Sequence, residues 1–141
     1  VAHPNQHQKH QAGRHLAVAE ALLHGFAAAL QGAQTFVTVN GHTAAVQVAG
    51  KGAWMIANIE NFCATTAPFY VLVDITGGER SFYIAPGDEL RHDVWERHQQ
   101  FMQQHDGVRP KNPDSRHTKI EPSEVTKWQD NWSAFATPAA A

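Results

Sequence analysis

Apolar and polar positions along the chain divide it into a helical N-terminal part, a run of strands and a second helical part. From Ala12 to Leu30 an alanine-rich stretch carries Leu16, Ala19, Leu23, Phe26 and Leu30 at helical spacing. This predicts a first helix, interrupted near Gly25 and packed through its alanines against a sheet. Residues 1–11 are polar and rich in His and Gln, which reads as a flexible arm or a frayed helix start. Gln31-Gly-Ala33 ends the helix, and Thr35–Val39 and Thr43–Ala49 read as strands around Asn40-Gly41, a hairpin signal because both residues tolerate positive φ. Trp54–Ile56 is a further expected strand, and Asn58–Thr66 is irregular or holds a short helix. Phe69–Ile75 is almost wholly apolar, the pattern of a strand buried on both faces. Ser81–Ala85 follows and ends at Pro86-Gly87.

Asp88–His105 predicts a second helix, with Asp88 as N-cap, acids in the first turn, and Leu90, Val94, His98 and Met102 on one side. A proline-containing basic loop runs from Gly107 to His117. A short helix is expected over Pro122–Trp132, and the alanine-rich end, residues 136–141, reads as a loose tail. With no repeat and no internal boundary, residues 12–135 form one α/β sandwich: a mixed, largely antiparallel central sheet flanked by helices.

Composition narrows the class. The chain has 141 residues, enough for one domain with a real core, and 43% hydrophobic and 17% charged residues are ordinary for a globular protein. No apolar run approaches the roughly 20 residues that span a bilayer, and the start lacks the pattern of a signal peptide. Cys63 is the only cysteine, which excludes an internal disulfide and a Cys-based zinc site. A reducing, cytoplasmic location without membrane contact is the expectation. The formal charge of -2 shows no basic surplus, whereas proteins that neutralise phosphates usually have one.

Several segments, taken in order, resemble the PD-(D/E)XK nuclease superfamily in its small bacterial, restriction-endonuclease-like members. Gly13-Arg-His-Leu-Ala17 and Leu22-Leu-His-Gly-Phe26 are similar to the start and end of the family's first helix. Val46-Gln-Val-Ala-Gly-Lys-Gly-Ala-Trp54 resembles its Val-Gln-Val-Lys strand and the following Trp strand. Tyr70-Val-Leu-Val-Asp74 and Phe82-Tyr-Ile-Ala-Pro86 are similar to two later strands. The stretch from Asn112 to His117, with Trp128 and Asn131-Trp132, resembles the ending. The resemblance spans Gly13 to Phe135 and implies a restriction-endonuclease-like fold.

It also implies a Mg²⁺ site made from an Asp, a Glu or Gln on the next strand, and a Lys two residues later. Those positions fall here on Thr35 (or Gln34), Gln47 and Ala49, and His15 stands where the first helix often has Glu. No Asp or Glu occurs between Glu20 and Glu60. A hard divalent cation requires oxygen ligands with carboxylate charge, and Mg²⁺ gives up its waters reluctantly. The expectation is therefore a pseudoenzyme with no cofactor, acting by binding DNA, RNA or a protein partner, as a subunit of a nucleic-acid-processing or defence assembly. The alternative is a Mg²⁺- or Mn²⁺-dependent endonuclease with a rearranged catalytic site of Glu20, Gln47 and Lys51; Lys51 lies an even number of residues after Ala49 and so shares its side of an extended backbone. A third reading is a structural protein that forms homo-oligomers through an edge strand or an exposed aromatic end.

For nucleic acid, the candidate contacts are Arg109, Lys111, Arg116, His117 and Lys119, with Asn112, Ser115 and Thr118 adding hydrogen bonds to phosphates. Asp106, Asp114 and Glu121 offset much of that charge, so an ordinary solvated loop explains the same residues. His3, His7 and His10 have spacings that allow one helix face and a labile Zn²⁺ or Ni²⁺ site; a solvated arm is the preferred reading, and no metal residue is assigned. His92 and His105 read as surface positions and His98 as half-buried. Cys63, between Phe62 and Ala64, reads as packing rather than reacting. Trp128 and Trp132 suit packing onto the sheet better than stacking on bases.

Overall fold

A computed structural model describes residues 2–33, 35–104 and 117–139. The first helix, α1, is Gln6–Leu23. It begins earlier than expected because Asn5 caps it, accepting from Gln8 N while the Gln8 side chain accepts from Asn5 N. It also ends earlier. Gly25 takes φ +88°, and the expected helical end becomes a strand, β1, Ala28–Gln31. Of the five residues with helical spacing, two, Phe26 and Leu30, lie beyond the helix.

Strands β2 (Phe36–Val39) and β3 (His42–Ala49) form the anticipated hairpin, with Asn40 at φ 49° and Gly41 at φ 82° as a type I′ turn requires. The chain then makes β4 (Trp54–Ile56) and α2 (Ile59–Ala64), N-capped by Asn58. It returns as β5 (Phe69–Asp74), parallel to β3, and continues as β6 (Ser81–Pro86), antiparallel to β5. The intervening segment supplies the crossover that a parallel pair needs. The five-stranded sheet has the order β1-β2-β3-β5-β6. Helix α3 is Gly87–Gln104, with Asp88 inside its first turn rather than at the cap. Strand β7 (Thr118–Ile120) pairs with β4 in a second, two-stranded sheet.

The expected C-terminal helix over Pro122–Trp132 is three single turns of 3₁₀ helix: Pro122–Glu124, Thr126–Trp128 and Trp132–Phe135. Between the second and third, Gln129 bridges to Tyr83, and Asp130, at φ 53°, donates its N–H to Phe82 O at 2.9 Å. The sheet edge competes for this backbone and breaks the helix. Trp128 and Trp132 are both buried, in different cores. The tail is not loose as far as Ala139. His42 Nε2 meets Thr137 O at 2.6 Å, and Ala139 donates to Asn40 O.

Two cores lie on opposite faces of the five-stranded sheet. On one, Ala17 and Ala21 of α1 pack with Val37, Val46, Val73, Trp132 and Phe135. The close approach explains Gly13: a methyl there would overlap Val48 Cγ2. On the other, Leu72, Tyr83, Leu90, Val94 and Trp128 pack with Trp54 and Ile120 of the small sheet.

Candidate functional site

Alternation along β3 places Gln47 with Ala45 and Ala49 on the face away from α1. The second core covers that face over β5, β6 and the Ala45 and Ala49 positions of β3, but the part beside β1 and β2 is left open, with Thr43 and Gln47 half-buried at its margin. A groove of about 680 Å³ results, with Gln31, Thr35, Phe36, Thr43 and Gln47 along the strands and Phe62, Thr65 and Tyr70 opposite. Thr35 and Gln47, two positions at which the family resemblance implies metal ligands, therefore meet in one place. Among the described residues lining it there is no Asp, Glu, His, Lys or Arg. Gln31 Oε1 accepts from the hydroxyls of Thr38 and Thr43 at 3.1 and 3.3 Å, which fixes one amide wall. The Tyr70 hydroxyl is held at 2.6 Å from Thr65 Oγ1 and receives Arg91 Nη1 at 3.3 Å. Burial disfavours the charge on Arg91, but its hydrogen bonds to Tyr70 and Asp88 outweigh this and raise its pKa.

The groove continues. Gln47, Phe62 and Thr65 also line a cavity of about 310 Å³ beside Asn58 and Asn61. Met55 is shared between that cavity and a cleft of about 260 Å³ between α3 and β7. At the other end, Thr35 is shared with a surface hollow lined by His7 and His10. These hollows neighbour one another through their shared lining residues and are here called the trough. Its middle is uncharged, and ionisable side chains stand at its ends.

The α3–β7 end holds two of the predicted nucleic-acid contacts, His117 and Lys119, together with Arg97 and His98. Periodicity did not single out Arg97, because an isolated arginine on a polar helix face carries no local signal. Its charge is shared: Arg97 Nε lies 2.9 Å from Glu124 Oε2, and Lys119 Nζ 2.9 Å from Glu121 Oε1. The hydrogen bond to Glu121 raises the Lys119 pKa. Arg109, Lys111 and Arg116 lie outside the described residues, as does His105.

Glu20, Gln47 and Lys51 do not converge. Glu20 is on α1, on the opposite face of the sheet from Gln47, and lies 3.6 Å from His24. Lys51 is exposed in the loop after β3. Ala49 is 1% exposed within the second core, so a lysine at that position would have to enter packed apolar surroundings. His98 is buried more fully than expected, and Cys63 is half-buried against the second core with its thiol pKa raised by burial, an effect partly opposed by Arg91. Among the described residues no group of three or more His, Cys, Asp or Glu could hold a metal ion. No helix among them is long and apolar enough to cross a membrane.

Arg14 is a residue whose role the sequence did not announce. It is 1% exposed, and its Nη2 donates to the carbonyls of Gln31, Gly32 and Phe36 while Nη1 donates to Gln11 Oε1. It ties α1 to the turn between β1 and β2 and so sets the Thr35 end of the trough. Among known proteins, no family model, no curated protein and no solved structure matches this chain.

Proposed function

We propose that the chain is a binding protein on a nuclease-like scaffold that does not cut, and that its ligand is nucleic acid lying along the trough. The observation that carries this reading is the lack of any Asp, Glu, His, Lys or Arg among the described residues of the groove where Thr35 and Gln47 meet. Amides, hydroxyls and methyls cannot compete with water for Mg²⁺ or Mn²⁺. They do suit uncharged bases, with the half-exposed ring of Phe36 as a stacking surface. Arg97, His117 and Lys119 at one end suit phosphates, and the basic residues Arg109, Lys111 and Arg116 precede His117 in the sequence. The bland net charge favours a single strand held at a few points over a duplex gripped along its length.

The test combines cleavage and binding. Labelled single-stranded and duplex DNA and RNA are incubated with Mg²⁺ or Mn²⁺, and binding is followed by fluorescence anisotropy across a salt series. No scission is expected. Single-strand binding should weaken with salt and weaken further when Arg109, Lys111 and Arg116 are changed to Ala. Metal-dependent scission that disappears in Glu20→Ala or Gln47→Ala would establish the rearranged endonuclease instead. An absence of nucleic-acid binding would leave a protein as the partner.

A further inference from the structure

The two edges of the five-stranded sheet are treated differently. At β6, Asp130 N–H bonds to Phe82 O, Asn131 Nδ2 to Ile84 O at 3.2 Å, and Gln129 bridges to Tyr83. That edge is covered. At the opposite edge, among the described residues, β1 pairs only with β2.

The register identifies which groups of β1 are free. Asn40 N donates to Ala27 O, so 27 and 40 are a hydrogen-bonded pair, and so by alternation are 29 with 38 and 31 with 36. The N–H and C=O groups of Ala28 and Leu30 therefore point outward. Exposed edges are normally protected by charge, proline or a bulge. Beyond its shortness, β1 has none of these. No Asp, Glu, Lys, Arg or Pro occurs from residue 21 to residue 41, and the β1–β2 register runs without a bulge. Beside it are exposed leucines: Leu23 is 80%, Leu22 53% and Leu30 37% exposed.

We infer that β1 is a homodimer interface, pairing antiparallel with β1 of a second copy about a two-fold axis at Ala29. Ala28 then opposes Leu30 of the partner subunit, and Leu30 opposes the partner's Ala28. The four outward groups of each strand are satisfied in four main-chain hydrogen bonds, and the two sheets become one of ten strands. An isologous contact brings each residue near its own copy. A charged edge would repel itself in this arrangement; an uncharged edge flanked by leucines does not, which favours a second copy over a charged partner strand. The groove shares Gln31 with β1, but the inference rests on the main-chain groups of Ala28 and Leu30 and not on the proposed ligand.

Light scattering after size exclusion, and sedimentation equilibrium, test the state directly. A dimer at micromolar concentration is expected. Leu30→Lys, which adds a charge at a half-exposed position, should raise the dimer dissociation constant at least about tenfold. Ala29→Cys should form an intersubunit disulfide on mild oxidation, because residues at the centre of a non-hydrogen-bonded pair bring their Cβ atoms close; the variant is made in a Cys63→Ala background. A monomer at the highest attainable concentration would overturn the inference and leave the edge to a different strand. So would a dimer that Leu30→Lys leaves intact, or a dimer that Ala29→Cys fails to cross-link.

Discussion

The two faces of the five-stranded sheet carry similar strands and meet different fates. On the α1 face, the helix and the terminal 3₁₀ turn close over β2, β3, β5 and β6, and Phe135 is fully buried among Phe26, Phe69 and Trp132. On the other face, α2, α3 and the small sheet cover β5, β6 and the Ala45 and Ala49 positions of β3, leaving Phe36 39% exposed at the rim of the trough. A face that is sealed contributes to stability. A face left half open, with uncharged polar groups directed into a groove, is available to a ligand.

Substitutions on the two faces sharpen this contrast. Phe135→Ala should have the largest effect on the fold, about 3–5 kcal/mol in urea denaturation, because a fully buried ring leaves a cavity that cannot collapse. Arg14→Met should cost about 3 kcal/mol, since three carbonyls of the β1–β2 turn lose their donor together. Gly13→Ala, forcing α1 away from Val48, should cost about 1–3 kcal/mol. If these three variants unfold no more easily than the wild type, the α1 face is not the stabilising side. Phe36→Ala on the open face should change stability by less than about 1 kcal/mol. It should nonetheless weaken single-strand binding by about 1–3 kcal/mol, the usual range for one stacked base. Equal losses in both measurements would show that the ring is structural.

The smallest expected effect concerns Cys63. Burial raises its thiol pKa in the folded chain, so the neutral thiol is favoured there. Its contribution to stability is present below the unfolded thiol pKa and is lost as pH rises through that value towards the folded one. Alkylation by iodoacetamide at pH 8 should accordingly be slower in the folded protein than in urea. Equal rates would show that Cys63 is not held against the core.

Much of the secondary structure is legible in the chain, because it depends on local pattern. The Asn40-Gly41 turn, the buried run of β5, the short β4 and the span of α3 follow from dihedral tolerance and from period-2 or period-3.6 spacing. The lack of carboxylates between Glu20 and Glu60 is a property of composition alone. Helical spacing runs on past Leu23 because alanine and leucine suit either state; Gly25 and the pairing of β1 with β2 decide against the helix there.

The tertiary structure decided what no window of sequence contains. Pairing across the sheet put Glu20 and Gln47 on opposite faces, separated Trp128 from Trp132 and buried Arg14 against three carbonyls. It also brought Thr35 and Gln47 into one groove and set β1 at one edge of the sheet. Spacing fixes which side of its own element a residue occupies. Which other element lies on that side depends on contacts between distant segments, and those are set by packing of the whole chain.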